Sequence, residues 1–244
     1  MKRVLTIIVV SLLALYWGVA LTVLNRKPKA QVCQRMELVL QDSGCAAVVT
    51  REEVAAIFRK HGTYPVGTSM DDIRTDLMEK QLLVCPLIER AECYKSTDAT
   101  LCVEIIPRVP VMHVINEKGE NFYIDGKGSL MPSTAGYVSH LPVATGVVDK
   151  EFAQKELYRL AMFLKENPFW NAQIEQIHVN ARKELDLVPR VGEHIVFLGT
   201  LDHFERKLER LKLFYEKALN QVGWNKYSRI NLEFMNQIIC TKKE

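Results

Sequence analysis

Six histidines and six cysteines are the side chains of this sequence best suited to ligate a metal or to take part in catalysis. The histidines are His61, His113, His140, His178, His194 and His203, and the cysteines are Cys33, Cys45, Cys85, Cys93, Cys102 and Cys240. No histidines stand in an H-E-x-x-H or H-x-H arrangement and no cysteines in C-x-x-C, the spacings typical of zinc sites. The sequence therefore predicts no metal centre.

Other catalytic motifs are incomplete or absent. Gly126-Lys127-Gly128-Ser129 resembles the end of a phosphate-binding loop, but a glycine follows the lysine, and a hairpin turn explains both glycines. No G-x-S-x-G pentapeptide would form a nucleophile elbow. The acidic residues between Asp71 and Glu79 fit the solvated start of a helix, where they favour the helix dipole. We predict no catalytic residue, no cofactor and no enzyme activity.

Cys93 and Cys102 have a spacing that a cross-strand disulfide can use. They lie on two predicted strands, Ile88–Tyr94 and Thr100–Ile106. If the turn centres on Thr97-Asp98, the two cysteines face each other at a non-hydrogen-bonded pair, where side chains approach closely. We expect a disulfide there, with two free thiols packed in a core as the alternative. A three-residue loop would shift this register.

The segment from Val4 to Leu24 carries no charge. As a helix it would span about 31 Å, which matches the hydrocarbon core of a bilayer. The alternative is a cleaved signal peptide, whose apolar region is shorter, about 7–15 residues, and Thr22-Val23-Leu24-Asn25 is a poor cleavage site. We expect an uncleaved membrane anchor.

Charge and composition narrow the function classes. The 244 residues carry a formal net charge of +3, which gives no reason to expect a nucleic-acid partner. Charged residues make up 25% and hydrophobic residues 48%, which is typical of a folded protein. Both flanks of the apolar run are basic, so the positive-inside rule does not orient it. The bulk of the chain after the run must form the extramembrane part.

Residues after Gln31 predict a first α/β unit. Val32–Leu40 has the pattern of a strand, and Thr50 begins a helix with a capping box that Gly62 ends. A second capping box at Ser69 predicts another helix, which ends before Pro86. With the two strands that carry Cys93 and Cys102, the order is β-α-α-β-β.

Beyond Pro110 the pattern changes to a mainly antiparallel β unit with two helices. Strands are predicted at Val111–Ile115, Asn121–Ile124, Ile174–Val179, Leu185–Val188, His194–Leu198 and Arg229–Cys240. One helix ends at Asn167, and the longest helix begins with a capping box of Asp202 and Glu205 and ends at Gly223. The whole chain is therefore predicted to be α+β.

The last predicted strand is the candidate binding site. Between Ile230 and Cys240 every even position except Asn236 is apolar, which predicts one strand with its even face on the core. We expect such a final strand to lie at or near a sheet edge. Between Ile230 and Cys240 it contains no Pro and no Lys, the residues that commonly protect an edge strand against pairing with another chain. That favours strand addition by a partner. The alternative is a closing strand whose edge a loop protects.

Three parts of the sequence resemble the FtsQ/DivIB family in the order in which that family has them. Cys85–Tyr94 with Thr100–Val111 is similar to the end of an FtsQ-type POTRA domain. Asn121–Gly128 resembles the motif Y-x-[IV]-D-x-x-G, and Tyr227–Phe234 resembles the closing strand Y-[IV]-D-L-[RK]-[YF]. Each motif alone is weakly specific, but their order and spacing together are more specific.

The resemblance implies a non-enzymatic, single-pass scaffold of the bacterial divisome. Its parts would be a cytoplasmic tail (1–3), a transmembrane helix (4–24), a linker (25–31), a POTRA domain (32–109) and a β domain (110–244). The bulk would be periplasmic, at the inner membrane of the division septum. The implied partners are FtsB and FtsL, which connect it to septal peptidoglycan synthesis, and other division proteins that contact the POTRA domain and the membrane helix.

The resemblance also places the FtsB-binding edge on the last strand, with Phe234 at the family's aromatic position. The predicted contact residues are Arg229, Asn231, Glu233, Phe234, Met235, Asn236, Gln237 and Ile239. Two other classes remain open. One is another POTRA-bearing assembly or secretion component, and the other is a membrane-anchored enzyme or ligand-binding protein, which would show a polar cleft.

Overall fold

The computed structural model describes residues 15–20, 31–41, 49–133, 141–234 and 236–243. They form a three-stranded and a nine-stranded sheet, each with its own hydrophobic core. The predicted membrane helix lies mostly outside these ranges, and residues 15–20 within it are helical. Across the described ranges, no helix combines the length and the apolar character needed to cross a bilayer.

The first unit has the predicted β-α-α-β-β order. Its elements are β1 (Arg35–Leu40), α1 (Arg51–Lys60), α2 (Thr75–Leu83), β2 (Ile88–Lys95) and β3 (Thr100–Pro107). In the sheet, β3 lies between β1, which is parallel to it, and β2, which is antiparallel. Both helices contribute to one core, in which Phe58, Leu82 and Val103 are fully buried.

The two helices of this unit begin in different ways. The capping box at α1 is confirmed, because Thr50 Oγ1 accepts from Glu53 N at 3.2 Å while Thr50 N donates to Glu53 Oε2 at 2.8 Å. The prediction for α2 is wrong, since this helix begins only at Thr75 and has no side-chain cap. Ser69 instead forms a β-bridge with Val32, which keeps its backbone extended.

The register of the β2–β3 hairpin excludes the predicted disulfide. Ser96 N donates to Thr100 O at 2.9 Å, so the turn holds three residues. Cys93 therefore lies opposite Val103 and not opposite Cys102. Because side chains alternate between the two faces of a sheet, the two cysteines point to opposite faces, and both are free thiols. The disulfide prediction is wrong.

The second unit is one mixed sheet of nine strands. The strands are β4 (Pro110–Asn116), β5 (Asn121–Asp125), β6 (Leu130–Pro132), β7 (Val143–Gly146), β8 (Ile174–Val179), β9 (Leu185–Pro189), β10 (Ile195–Gly199), β11 (Tyr227–Asn231) and β12 (Ile239–Lys242). Their order is β12-β11-β10-β9-β8-β7-β4-β5-β6. The predicted hairpin and the strands β8 to β10 are confirmed. The sequence did not predict β6 or β7, and β7 runs parallel to both β4 and β8.

Three helical stretches accompany this sheet. Helix α3 comprises Lys150–Phe152, a π-helical turn at Ala153–Leu157, and Tyr158–Glu166; α4 is Pro168–Gln173; and α5 comprises Phe204–Phe214, a π-helical turn at Tyr215–Leu219, and Asn220–Val222. The sequence did not predict α4, in which Pro168 occupies the first turn, where a missing N–H costs little. The predicted cap of α5 is wrong, because Asp202 accepts from Thr200 and left-handed His203 precedes the helix.

Apolar residues on one face of the large sheet pack against these helices. Leu160 and Leu208 from α3 and α5 are fully buried in the same core as Val114, Ile177 and Val196 from three strands. Side chains that point to the other face are mostly half-buried or exposed. Function at this unit is therefore expected on the open face or at the edges of the sheet.

A buried carboxylate connects the two sheets. Asp125 Oδ1 accepts from the backbone N–H groups of Lys127 and Ser129 at 2.9 and 2.7 Å, and its Oδ2 accepts from Arg108 Nη1 at 3.3 Å. Arg108 Nε also donates to Ile88 O of the three-stranded sheet at 3.3 Å. The aspartate of the Y-x-[IV]-D-x-x-G motif thus orders the turn after β5 and joins it to the first unit.

We expect Cys93 and Cys102 to be unlinked and to differ in reactivity. Burial, with the nearby Glu79 carboxylate, raises the pKa of Cys93 to about 12, whereas Cys102 is half-buried on the other face. Since the thiolate is the nucleophile, iodoacetamide should label Cys102 faster than Cys93 in the native chain. Peptide mass mapping of the non-reduced protein measures this, with Cys102→Ser as the control. A peptide that links Cys93 to Cys102 would contradict the register.

Candidate functional site

The C-terminal segment folds as a hairpin and not as one strand. β11 and β12 are antiparallel, with Asn231 opposite Ile239 and Arg229 opposite Thr241. The chain turns after Asn231, whose side-chain oxygen accepts from Glu233 N at 2.8 Å. The prediction of a single strand from Arg229 to Cys240 is therefore wrong. The sequence signal for this turn was the asparagine itself, because its side chain can accept a hydrogen bond from the backbone N–H two residues further on.

The structure separates the predicted contact residues. Arg229 and Asn231 lie in β11, which pairs on one side with β10 and on the other with β12. The predicted residues in the connection between the strands are Glu233, Phe234, Asn236 and Gln237, and Met235 lies outside the described residues. Ile239 is the first residue of β12. The remaining residues of β12, Cys240–Lys242, were missed as contacts, although their β-branched threonine and the apolar residues before it favour a strand.

β12 is one of the two edges of the nine-stranded sheet. Within the part of the chain that the structure describes, no strand pairs with its outer side. Ile239, Thr241 and Lys242 are exposed, while Cys240 packs against the core and fixes the strand on the sheet. The opposite edge, β6, is shorter and contains Pro132, which cannot donate a backbone hydrogen bond. β12 is therefore the better edge for pairing with another strand.

An aromatic and apolar patch borders this edge on the open face of the sheet. Arg229 Nη2 lies 2.7 Å from Asp186 Oδ1, and its guanidinium lies 4.9 Å from the centre of the Phe197 ring. Ile195 and Ile239, exposed by 39% and 44%, flank this group on the neighbouring strands. The patch offers apolar contact, one ion pair and an aromatic face to the side chains of an added strand.

Helix α5 holds the main chain around the hairpin through two basic residues. Arg210 donates to the carbonyls of Phe234 and Leu232, at 2.9 and 3.4 Å. Lys207 is 4% exposed, and its Nζ donates to carbonyls at the end of β10 and just after it, at 3.0 and 2.8 Å. Burial lowers the pKa of Lys207. These bonds fix the place where the chain reverses into β12.

A buried aromatic cluster supports β10 and β11 from the helix side. His194 is 1% exposed and shares a 2.8 Å hydrogen bond between its Nε2 and the hydroxyl of Tyr215. The Trp224 ring lies 4.9 Å from that of Tyr215. Gly192 has a φ of +91°, and a Cβ there would lie 2.7 Å from His194 Nδ1. Position 192 thus requires glycine. Burial in this cluster lowers the pKa of His194.

We expect the burial of His194 to make the stability of this unit fall in mild acid. Its pKa in the folded chain lies below the unfolded value of about 6.5, so the unfolded chain takes up the proton first. The free energy of unfolding should be highest above that pH and decrease as the pH falls below it. Urea unfolding between pH 8 and pH 5 measures this effect.

The variant His194→Gln isolates the contribution of this residue. It should weaken the pH dependence relative to the wild type, whereas His178→Gln, at an exposed histidine of β8, should leave it unchanged. An identical pH dependence in His194→Gln and the wild type would contradict the assignment.

Comparisons with known proteins match both units of the chain. A family model described as a POTRA-like domain matches residues 31–106, and one described as FtsQ/DivIB, C-terminal related, matches residues 109–241. The chain is also 29% identical over 191 residues to a protein of Rhodothermus marinus named cell division protein FtsQ, with 72% of this chain and 68% of that protein covered. The resemblance of the three sequence motifs is thus confirmed, and because residues 109–241 are more than half of the chain, this protein belongs to the FtsQ/DivIB family.

Proposed function

We propose that this chain is a non-enzymatic scaffold of bacterial cell division that binds a partner by strand addition at β12. The partners we propose are division proteins of the FtsB and FtsL type, through which the scaffold is linked to septal peptidoglycan synthesis. The observation that carries the proposal is the open outer side of β12 beside the patch of Phe197, Arg229 and Ile195. Family membership supports a role in division.

The patch is needed because backbone pairing alone gives little affinity. β12 spans only Ile239–Lys242, and each net hydrogen bond contributes about 0.5–1.5 kcal/mol. An added strand would also lose conformational entropy when it becomes ordered. Burial of partner side chains against Phe197 and the exposed isoleucines would supply the remaining free energy, at about 25 cal/mol per Å² of apolar surface.

We propose that residues 4–24 anchor the scaffold in the inner membrane at the septum, with residues 1–3 in the cytoplasm and the bulk in the periplasm. The uncharged run supports this placement. The described helical residues 15–20 support it too, because Leu15, Tyr16, Trp17 and Val19 are 56–70% exposed. Such a cluster of apolar side chains is unfavourable in water and favourable in lipid.

The perturbed titratable groups also fit a scaffold better than an enzyme. The pKa values of Cys93 and Tyr215 are strongly raised, and in both cases the first cause is burial. Cys93 packs in the core of the three-stranded sheet and Tyr215 in the core of the nine-stranded sheet. Catalytic groups with shifted pKa values usually face a cleft, whereas these two contribute to packing.

Shortening the chain after Ile238 should abolish binding of an FtsB-type partner while the rest of the sheet stays folded. This truncation removes β12 but keeps Ile230 and Leu232, which are fully buried in the core. A truncation after Tyr227 would remove those two residues as well and is a less specific test.

Lys243 N donates to Lys226 O at 3.0 Å, so the N–H of the preceding residue, Lys242, points away from β11. Lys242→Pro, which removes this outward donor, should weaken binding at least tenfold, or about 1.4 kcal/mol.

Calorimetric titration of the full chain in detergent with the periplasmic part of the partner measures both effects. Lys242→Gln is the matched control, because it loses the same charge but keeps the backbone donor, and it should bind like the wild type. Thermal unfolding should show that each variant is folded. Wild-type affinity in both the truncated chain and Lys242→Pro would place the site elsewhere.

A further inference from the structure

We propose that a groove in the helix layer of the second unit is a docking site for a basic amphipathic helix of a partner protein. The groove lies between α5 on one side and the end of α3 together with α4 on the other. It is on the helix side of the nine-stranded sheet, opposite the open face that carries the patch beside β12. The site therefore does not depend on the function proposed for that edge.

The groove has an aromatic floor. Its volume is about 500 Å³, within the range of about 300–1,000 Å³ that ligand pockets occupy. Trp170 of α4 is 1% exposed and forms the floor, and Phe163 of α3 is half-buried in the same lining. The Trp170 ring meets that of Phe169 edge-on at 4.8 Å between centres. Phe163 meets Phe204 in the same way at 5.3 Å. The apolar surface is thus preformed, which lowers the entropic cost of binding.

Charged residues form the wall that α5 contributes to the groove. Glu205, Glu209, Lys212 and Glu216 follow at steps of four, three and four, the spacing of one face of a helix. A face with this spacing usually carries apolar residues that pack on a neighbouring element. In α5 that role belongs to another face, on which Leu208 is fully buried. The charged face, with three glutamates and one lysine, is left for a partner.

Two charges of this wall are already compensated within the chain. Glu205 lies 3.8 Å from Arg159 of α3. The ammonium of Lys212 lies 5.1 Å from the centre of the Phe169 ring, where the aromatic quadrupole stabilises a cation. These contacts leave the other two glutamates to determine which charge the groove attracts.

Glu209 and Glu216 have no counter-ion of their own. Among the residues that the structure describes, neither has a cation within salt-bridge distance. Arg206 also lines the groove, in the first turn of α5, and so lies at the end far from Glu216. Basic side chains of a partner would form charge-assisted hydrogen bonds with the two free carboxylates.

The spacing of the two glutamates specifies the partner segment further. Residues seven apart in a helix, such as Glu209 and Glu216, are separated by about 10 Å along its axis. In a partner helix, residues seven apart also lie on one face at this distance. Midway between the glutamates is Leu213, which is 47% exposed and lines the groove with Phe163. The ligand is thus an amphipathic helix with two basic residues seven apart and a leucine between them on the same face.

The test uses the full chain in detergent and the fluorescein-labelled peptide AAQARAALAAQRAAQA, blocked at both ends, whose alanines favour a helix. Fluorescence anisotropy should show saturable binding that weakens as salt increases, because the pairing is electrostatic. The peptide AAQARAALARQAAAQA has the same composition, but its arginines are five apart and lie on different faces of a helix. It should bind at least tenfold more weakly.

Variants of the chain separate this site from general charge and from β12. Glu209→Lys with Glu216→Lys should lose at least tenfold in affinity for the first peptide. Glu117→Lys with Glu175→Lys, which changes the net charge equally at two exposed positions outside the groove, should bind like the wild type. Glu209→Gln with Glu216→Gln should also weaken binding, in case the first double variant fails to fold. The chain truncated after Ile238 should keep full binding.

Photo-cross-linking locates the peptide. With benzoylphenylalanine in place of its leucine, the first peptide should be cross-linked to residues 163–170 or 205–216, which peptide mass mapping identifies. Absence of binding by the wild type, equal binding of the two arginine spacings, wild-type affinity in both glutamate variants, or cross-links only outside these ranges would each overturn the proposal.

Discussion

Backbone N–H and C=O groups at the edge of a sheet need hydrogen-bond partners, and the C-terminal unit is arranged around this requirement. Ile230 and Leu232 are fully buried, so β11 must lie inside the sheet, parallel to β10. The chain then has to reverse before its next strand, and β12 takes the outermost position. The exposed edge is thus a consequence of how the two preceding apolar residues pack.

Interactions from helix α5 fix where that edge lies. Arg210 and Lys207 donate to main-chain carbonyls on both sides of the reversal, and Tyr215 shares a buried hydrogen bond with His194 just before β10. Burying a lysine is costly unless its ammonium group is hydrogen-bonded, which explains why Lys207 contacts two carbonyls. The proposed binding edge therefore adjoins main chain that is held by side-chain hydrogen bonds, and such preorganisation lowers the entropic cost of adding a strand.

Features that depend on a few neighbouring residues could be predicted from the sequence. The capping box of Thr50 and Glu53 and the hairpin of β4 and β5 are examples, because their interactions lie within one turn. The pairing of Cys93 and Cys102 could not be predicted reliably, because one residue more or less in the turn moves a side chain to the other face. β7 has only four residues, and its place between two parallel strands is set by tertiary packing.

The sequence pointed to the C-terminal region as the candidate site, but it did not identify β12 as the strand at the edge. Apolar residues alternate with polar ones from Ile230 to Cys240 straight through the turn at Asn231, so this pattern did not reveal that the chain reverses. Among the predicted contact residues that the structure describes, Ile239 is the one that lies in β12.

Hydrogen exchange of the full chain, alone and with an FtsB-type partner, tests the central claim most directly. Strand addition predicts that the outward-pointing amides of Cys240 and Lys242 become strongly protected, while those of Leu130 and Met131 in β6 stay unchanged. A saturated complex in which exchange at Ile239–Lys242 is unaltered would contradict it.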